Sequence, residues 1–365
     1  MSLLPNSDIL STILSVAFFG VFFLLIFFSQ KIQALLMTRQ ISKALVKLKR
    51  MRDEAKEATI SAITEVGRPE GDPRPRLETL LQFFIIQPES MDPAGVVQRL
   101  DHLLDASDTR IKEEVKSIAP NADESKIQNL QNLVEAAQAL NTMYRVVRHY
   151  YLLGKKEGLY NTVQIQMQLP MIMEEAEAYV SYVDAFKQGK PIGDGIGALA
   201  ASRLMADKPK SELAKEMVAA ETNIDGRRVL VTKAKGPGGT VGKPGDAVNN
   251  LIEANNGKVS LVLMIDAGLK LEGEDSGDIA EGIGAAIGGI GVEKYKIEEA
   301  ATKYQIPVYA IIVKESLKEV LAPMTVRIFS AADGVISRLK SIIQERIKEG
   351  HTIIVVGVGN TLGIK

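Results

Sequence analysis

The most constraining feature of the chain is an uncharged stretch of twenty residues near its N-terminus. Residues 9–28 read ILSTILSVAFFGVFFLLIFF. As an α-helix this stretch would be about 30 Å long, which matches the hydrocarbon thickness of a bilayer. Because lipid offers no hydrogen-bond partner to an unpaired backbone, such a segment would cross a membrane as a helix. We therefore predict a single transmembrane anchor over residues 1–30.

The charges that flank this stretch predict its orientation. Only Asp8 carries a side-chain charge before it, and seven basic residues follow it before Asp53, namely Lys31, Arg39, Lys43, Lys47, Lys49, Arg50 and Arg52. By the positive-inside rule, we expect a single-pass protein of the cell membrane with its N-terminus outside and its C-terminal body in the cytoplasm. A cleaved signal peptide is the alternative, but no basic n-region precedes the run and no small-x-small site follows it.

The composition argues against several classes of chemistry. The chain contains no cysteine, and its three histidines, His102, His149 and His351, have no ligand spacing. Zinc–thiolate, iron–sulfur and thiol-nucleophile sites are therefore not expected. From Asp53 onward there are 44 acidic and 37 basic residues, so the body is mildly acidic and we expect no nucleic-acid partner. No motif identifies a reaction, and the sequence leaves open whether the chain is an enzyme.

Two halves of different texture follow the anchor. Up to about residue 221 apolar residues recur at helical intervals, which predicts a basic juxtamembrane helix over 31–66 and a helical domain over 67–221. Beyond this point, short apolar runs rich in β-branched residues occupy 228–234, 259–265, 308–313 and 352–356. They alternate with segments that we predict to be helical, near 246–254, 278–304 and 331–348.

The four apolar runs predict the fold of the C-terminal half. They lack polar alternation, which is typical of strands that are buried on both faces of a parallel sheet. Strand and helix in alternation indicate an α/β arrangement with helices on both sides of the sheet. We therefore predict an α/β domain over 222–365, with a Rossmann-like parallel sheet of about four or more strands.

A glycine-rich loop follows the first of these strands, at the edge where such sheets bind ligands. Residues 236–245 contain five glycines ahead of a predicted helix, and glycine lets backbone amides approach a phosphate closely. The loop is not a Walker A motif, because Pro237 and Pro244 stand where that motif needs glycine and Ser/Thr. A flexible loop or a partner contact is the alternative. For a phosphate or nucleotide we predict contacts from Gly236, Gly238, Gly239, Thr240, Gly242 and Lys243.

Carboxylates follow the second predicted strand. Asp266 stands at its tip, and Glu272 and Glu274 lie in the loop beyond. Hard oxygen ligands suit Mg²⁺ or Ca²⁺, so we predict a metal site at these three residues, with Mg²⁺ as the cofactor. The spacing is not that of an EF-hand, and an ordinary acidic surface loop is the alternative. Asn360, after the last strand, reaches the same edge and is assigned to the ligand site.

Two further glycine-containing segments have open roles. Asp194 lies between glycines ahead of an apolar helix at 198–205, either as a helix cap or as a carboxylate that faces a ligand. Residues 282–291 contain five glycines. We interpret them as a site of close helix packing, or as an interruption before a helix that begins at Val292.

Five segments also carry a resemblance to a known family. They are FFIIQPESMDPAGVVQRLDHLLD (83–105), PIGDGIG (191–197), the glycine loop (236–245), EGEDSGDIAEGIGAAIGGIGVEKYKIE (272–298) and VVGVGNTLGI (355–364). Together they resemble an uncharacterised archaeal family, catalogued as domain of unknown function fifteen-twelve. The resemblance spans nearly the full chain. It implies an archaeal single-pass membrane protein, and it implies no reaction and no catalytic residues.

Two hypotheses about function follow from the sequence. In the first, a membrane-anchored cytosolic protein binds a phosphate-bearing small molecule, such as a nucleotide, at the carboxyl edge of its α/β sheet. In the second, the chain is a membrane-tethered scaffold that forms a homo-oligomer and has no small-molecule ligand. The lipid bilayer is an expected partner in both.

Overall fold

The computed structural model describes residues 6–85, 93–157, 159–289 and 291–365. These residues belong to two units. The first unit combines residues up to 50 with residues 142–173, and the second combines 51–141 with 174–365. The helices that precede the sheet are α1 (Asn6–Ala62), α2 (Arg74–Leu80), α3 (Pro93–Ile118), α4 (Glu124–Glu157), α5 (Leu159–Gln188) and α6 (Ile196–Leu204).

The first unit contains the stretch for which the sequence predicts a membrane anchor. Helix α1 covers it, and described apolar side chains such as Phe18 and Phe23 are exposed there. No helix in the described part of the chain is both long and apolar enough to span a membrane. The side chains of residues 9, 10 and 25–27, within the predicted span, lie outside the described ones. The anchor therefore stays a prediction.

The second unit is built around a mixed sheet of seven strands. They are β1 (Ser211–Ala214), β2 (Met217–Ile224), β3 (Arg227–Ala234), β4 (Leu261–Leu269), β5 (Ile279–Ile283), β6 (Val308–Glu315) and β7 (Thr352–Gly357). Their spatial order is β1-β2-β3-β7-β4-β6-β5. The four central strands β3, β7, β4 and β6 are parallel, while β1, β2 and β5 pair antiparallel with their neighbours.

The prediction of a parallel sheet is correct for the centre and wrong for the edges. All four predicted strands are present and parallel. Strand β1 and the first part of β2 lie in the range 67–221 that the sequence predicts to be helical. Alanines and charged residues there mask the strand preference that pairing with β3 imposes. Strand β5 lies where a helix was predicted. Three of its five residues are exposed and the other two are half-buried, so the sequence shows no continuous apolar run there.

The connections bring the carboxyl ends of the central strands to one edge. Helix α7 (Pro244–Ala254) connects β3 to β4, and helix α8 (Val292–Lys303) connects β5 to β6. Both helices pack on one face of the sheet. After β6 come the short α9 (Leu317–Leu321) and then α10 (Val326–Arg346), which leads back to β7 across the opposite face. The chain moves along the sheet in one direction from β3 to β4 and β6, and then returns to β7. Right-handed crossovers therefore place helices on both faces of the sheet.

Glycine lets helix α6 pack directly on the carboxyl edge. A Cβ at Gly197 would collide with the carbonyl oxygens of Ile265, within β4, and of Val358, directly after β7. The amide of Ala198 donates to the Val358 carbonyl at 3.1 Å. The segment just before α6, which contains Asp194, is thereby held above the ends of these two strands.

Candidate functional site

A cavity of about 360 Å³ lies at the carboxyl edge of the sheet. Its walls come from the ends of β4 and β7, the glycine loop at 241–244, the second glycine segment at 287–291, helix α3 and Asp194. We call it the edge cavity. Its volume falls in the range of small-molecule sites, and its walls unite several segments that the sequence analysis singled out separately.

Two carboxylates in the edge cavity each have one oxygen without a partner. Asp194 accepts a hydrogen bond at Oδ2 from the Asn360 amide at 2.7 Å, and Asp266 accepts one at Oδ1 from the Ala267 amide at 2.8 Å. Among the described residues no donor reaches their other oxygens. Burial raises the pKa of Asp194 above its ordinary value, and burial together with Asp194 raises that of Asp266 well above its own. Both carboxylates would gain from a bound cation.

The N-terminus of α8 also faces the edge cavity. Gly291 precedes the helix with φ 89°, and no side chain caps the first turn. Gly288 and Gly289 line the cavity, and their amides have no hydrogen-bond partner among the described residues. By contrast, the N-terminus of α7 already holds an anion, because the Gly245 amide donates to Glu293 at 2.7 Å. The uncapped amides at α8 are the type of group that binds phosphate.

Lys243 lines the edge cavity from the glycine loop but is paired with acidic side chains. Its ammonium lies 2.9 Å from Asp105 and 3.3 Å from Asp101, both on α3. Burial alone would lower the pKa of Lys243, but these carboxylates raise it. Asp101 also lies 2.9 Å from Lys296 of α8. These ion pairs therefore connect α3 to the glycine loop and to α8.

The glycine loop that was predicted to cradle phosphate uses much of its backbone within the protein. The Gly239 amide donates to Asn129 at 2.9 Å, and its carbonyl accepts from Asn132 at 2.8 Å. The Gly242 amide donates to the hydroxyl of Thr240 at 3.1 Å. These bonds connect the loop to α4, so the loop serves at least as a structural bridge.

The other predicted ligand contacts of this loop lie against the C-terminal segment, α4 and Glu216. A Cβ at Gly236 would collide with the Ile364 carbonyl, and one at Gly238 with the side chain of Gln128. The Thr240 hydroxyl donates to Glu216 at 2.6 Å. Of the predicted ligand contacts, Gly242 and Lys243 border the edge cavity, while Gly239, Thr240 and Asn360 border the neighbouring one. Phosphate binding by these residues stays a prediction.

The three predicted metal ligands do not come together. Asp266 faces the edge cavity, Glu272 is exposed, and Glu274 forms an ion pair with Lys314 and accepts from the Leu271 amide at 2.7 Å. Within the described ranges, no group of three or more acidic or histidine side chains is arranged to hold a metal ion. A cation at Asp266 would need ligands from outside the protein as well.

A second, larger cavity of about 690 Å³ adjoins the edge cavity and shares Asp108, Asp194 and Val241 with it. We call it the polar cavity. Tyr182 donates to Asn132 in its wall at 2.5 Å. Glu135 of α4 lines this cavity, and its side chain is exposed there. The surrounding protein and Asp108 raise its pKa to about 7, which is a property of many functional carboxylates.

Glu315, at the end of β6, is a fully buried carboxylate without a partner. Its exposed fraction is 0 %, and neither of its oxygens has a hydrogen-bond donor among the described residues. Burial raises its pKa to about 8, with further contributions from Asp194, Glu319 and Asp266. At neutral pH this side chain is therefore mostly protonated.

The sequence analysis missed several side chains of the site. Asp101 and Asp108 belong to α3, Glu135 to α4 and Glu315 to β6. For Glu315 a signal existed, since it directly follows the third predicted strand. For the α3 and α4 residues there was no local signal, because acidic residues on amphipathic helices are ordinarily solvated.

We predict that Glu315→Gln changes how stability depends on pH. The wild-type carboxyl titrates near 4.5 when unfolded and near 8 when folded. Its contribution to stability is therefore complete below about pH 4.5 and is lost as the pH rises toward 8. Gln cannot ionise. The free energy of unfolding of the variant relative to wild type should therefore be higher at about pH 9 than at about pH 5, by on the order of a few kcal/mol.

Thermal unfolding across this pH range tests the prediction. The exposed Glu345→Gln on α10 serves as the control and should leave the wild-type pH profile unchanged. Parallel pH profiles for wild type and Glu315→Gln would contradict the burial of an uncompensated carboxyl.

The family resemblance is confirmed over nearly the whole chain. Residues 15–189 match the model described as "Protein of unknown function (DUF1512) N-terminal domain". Residues 192–365 match the model described as "Domain of unknown function (DUF1512) C-terminal". No curated protein matches the chain. The boundary between the two matches falls just before Asp194 and α6, so the C-terminal match contains the whole sheet. The chain therefore belongs to the DUF1512 family and contains both of its domains.

Proposed function

We propose that the protein binds a phosphate-bearing small molecule together with a divalent cation in the edge cavity. The observation that carries the proposal is the pairing of two kinds of unsatisfied group across one cavity. Asp194 and Asp266 each offer an oxygen without a partner, and the uncapped N-terminus of α8 offers backbone amides. Carboxylates and amides of this type bind cations and phosphates respectively.

The charge of the cavity supports a cation as part of the ligand. Among the described residues that line it, five are acidic and one is a lysine. Lys243 is already neutralised by Asp101 and Asp105, so a bare phosphate would be repelled. Mg²⁺ is commonly held by one or two carboxylates with phosphate oxygens completing its shell. Asp194 and Asp266 would supply the protein's share of such a shell.

The position of the phosphate follows from the free amides. Gly288, Gly289 and the first turn of α8 would receive it, because the N-terminus of α7 is occupied by Glu293. Gly289 has φ 89°, a backbone conformation that favours glycine, and a Cβ at Gly288 or Gly289 would have no other atom within 4 Å, so the space beside these amides is open. The ligand we favour is a nucleotide or another phosphate ester of similar size.

We predict that phosphate compounds stabilise the protein only when a divalent cation is present. Full-length protein would be unfolded thermally with inorganic phosphate, AMP, ADP or ATP, each with and without Mg²⁺. At a hundredfold excess over Kd, a compound that binds only the native state should contribute about 2.7 kcal/mol. Asp266→Asn should abolish that contribution because it removes the charge that holds the cation.

The control variant is Glu272→Gln, an exposed neighbour outside the edge cavity, which should keep the full response. A panel in which no compound shifts the midpoint would contradict the proposal and favour the scaffold hypothesis. A shift that is equal with and without Mg²⁺ would contradict the role of the cation.

We propose further that residues 9–28 anchor this protein in the cell membrane. The support is the uncharged length of the run, the exposure of its described apolar side chains and the seven basic residues that follow. Such a segment would lie in the lipid, with the second unit in the cytoplasm.

We predict that the full chain resists extraction from membranes by alkaline carbonate, whereas a chain that lacks residues 1–30 is released. A C-terminal tag should also survive protease added to intact cells. Release of the full chain by carbonate would contradict the anchor, and digestion of the tag would contradict the orientation.

A further inference from the structure

The polar cavity is built from neutral hydrogen-bonding side chains and a set of charges that do not cancel. Its three lysines have partners on the protein. Lys112 pairs with Glu124 and Glu216, Lys116 lies 3.5 Å from Glu124, and Lys215 lies 3.6 Å from Asp105. Glu135 and Asp108 face the same cavity. Neither has a hydrogen bond or ion pair to any described residue. The uncompensated charge of the polar cavity is therefore negative.

The positions of these two carboxylates relate them to the edge cavity. Asp108 lies in the walls of both cavities, as does Asp194, whose second oxygen has no partner among the described residues. A ligand whose phosphate lies at α8 could thus extend past Asp194 and Asp108 toward Glu135. The wall along this path contains Tyr182 and Asn132, which are joined by a hydrogen bond.

Resting on the function proposed above, we infer that the ligand carries a positively charged nitrogen at its far end, an amine or a guanidinium, which Glu135 and Asp108 bind. The ligand would then be zwitterionic, with its phosphate and cation in the edge cavity and its nitrogen in the polar cavity. Glu135 is exposed within the polar cavity, so its carboxylate is accessible to the nitrogen of such a ligand.

The experiment is a calorimetric titration of full-length protein in the presence of Mg²⁺. The probes are aminoalkyl phosphates of increasing chain length, the alkyl phosphates of matching length, and diamines without phosphate. At the chain length that spans the two cavities, the amino group should improve affinity about tenfold or more, as expected for a charge-assisted hydrogen bond. Glu135→Gln should remove this gain and leave the affinity for the matching alkyl phosphate unchanged.

Glu113→Gln is the matched control. Glu113 also borders the polar cavity and, like Glu135, is exposed, so its replacement removes the same charge without removing the proposed partner. The variant should retain the tenfold gain. An equal loss in both variants would indicate general electrostatic attraction and would overturn the assignment to Glu135.

The outcomes separate this inference from the function on which it rests. If alkyl and aminoalkyl phosphates bind equally at every length, the nitrogen subsite is wrong and the phosphate site stands. If no phosphate binds but diamines bind in a manner that Glu135→Gln abolishes, the phosphate site is wrong and the nitrogen subsite stands. If no probe binds, both are wrong.

Discussion

The site depends on the pairing of β7, the last strand, with both β3 and β4 in the middle of the sheet. Its continuation then reaches the other segments of the edge. The Val358 amide donates to Ile265 at 2.9 Å, the Asn360 amide to Asp194 at 2.7 Å, and the Thr361 amide to Thr240 at 3.0 Å. The end of the chain thus positions β4, the Asp194 segment and the glycine loop around one cavity.

The same arrangement concentrates carboxyl groups in a region of low dielectric. Burial raises the pKa values of Asp194, Asp266 and Glu315, and each of the latter two is raised further by its acidic neighbours. Uncompensated buried carboxylates lower the stability of a fold. Groups of this kind are typical of functional sites, where a ligand or cation supplies the missing charge. The ion pairs of Lys243 and Lys296 offset part of the repulsion on the α3 side. They do not reach the oxygens of Asp194 and Asp266 that lack partners.

The sequence predicts the centre of this fold better than its edges or its site. The four central strands are predictable because burial on both faces imposes apolar runs rich in β-branched residues, as in Thr352–Gly357. Strand β5 depends on pairing with β6, which lies beyond α8 in the chain, and local patterns do not encode that pairing. Strands β1 and β2 pair with strands close in the chain, but their alanines and charged residues hide the strand preference. Asp266 is predictable from its place directly after the apolar run at 259–265, although β4 continues past it to Leu269. Glu135 is not, because only the docking of α4 over the sheet edge makes it part of a cavity. The sequence also cannot show that backbone amides of the loop at 236–245 donate hydrogen bonds to α4 and to the C-terminal segment.

The most direct test of the account is to locate a divalent cation in crystals of the full-length protein grown with Mn²⁺ and a phosphate compound. Mn²⁺ prefers the same oxygen ligands as Mg²⁺, and its anomalous scattering identifies it. The account predicts a single strong peak in the edge cavity, within coordination distance of Asp194 and Asp266, with phosphate density beside the first turn of α8. An edge cavity without an anomalous peak, or Mn²⁺ bound at Glu272 and Glu274 instead, would contradict it.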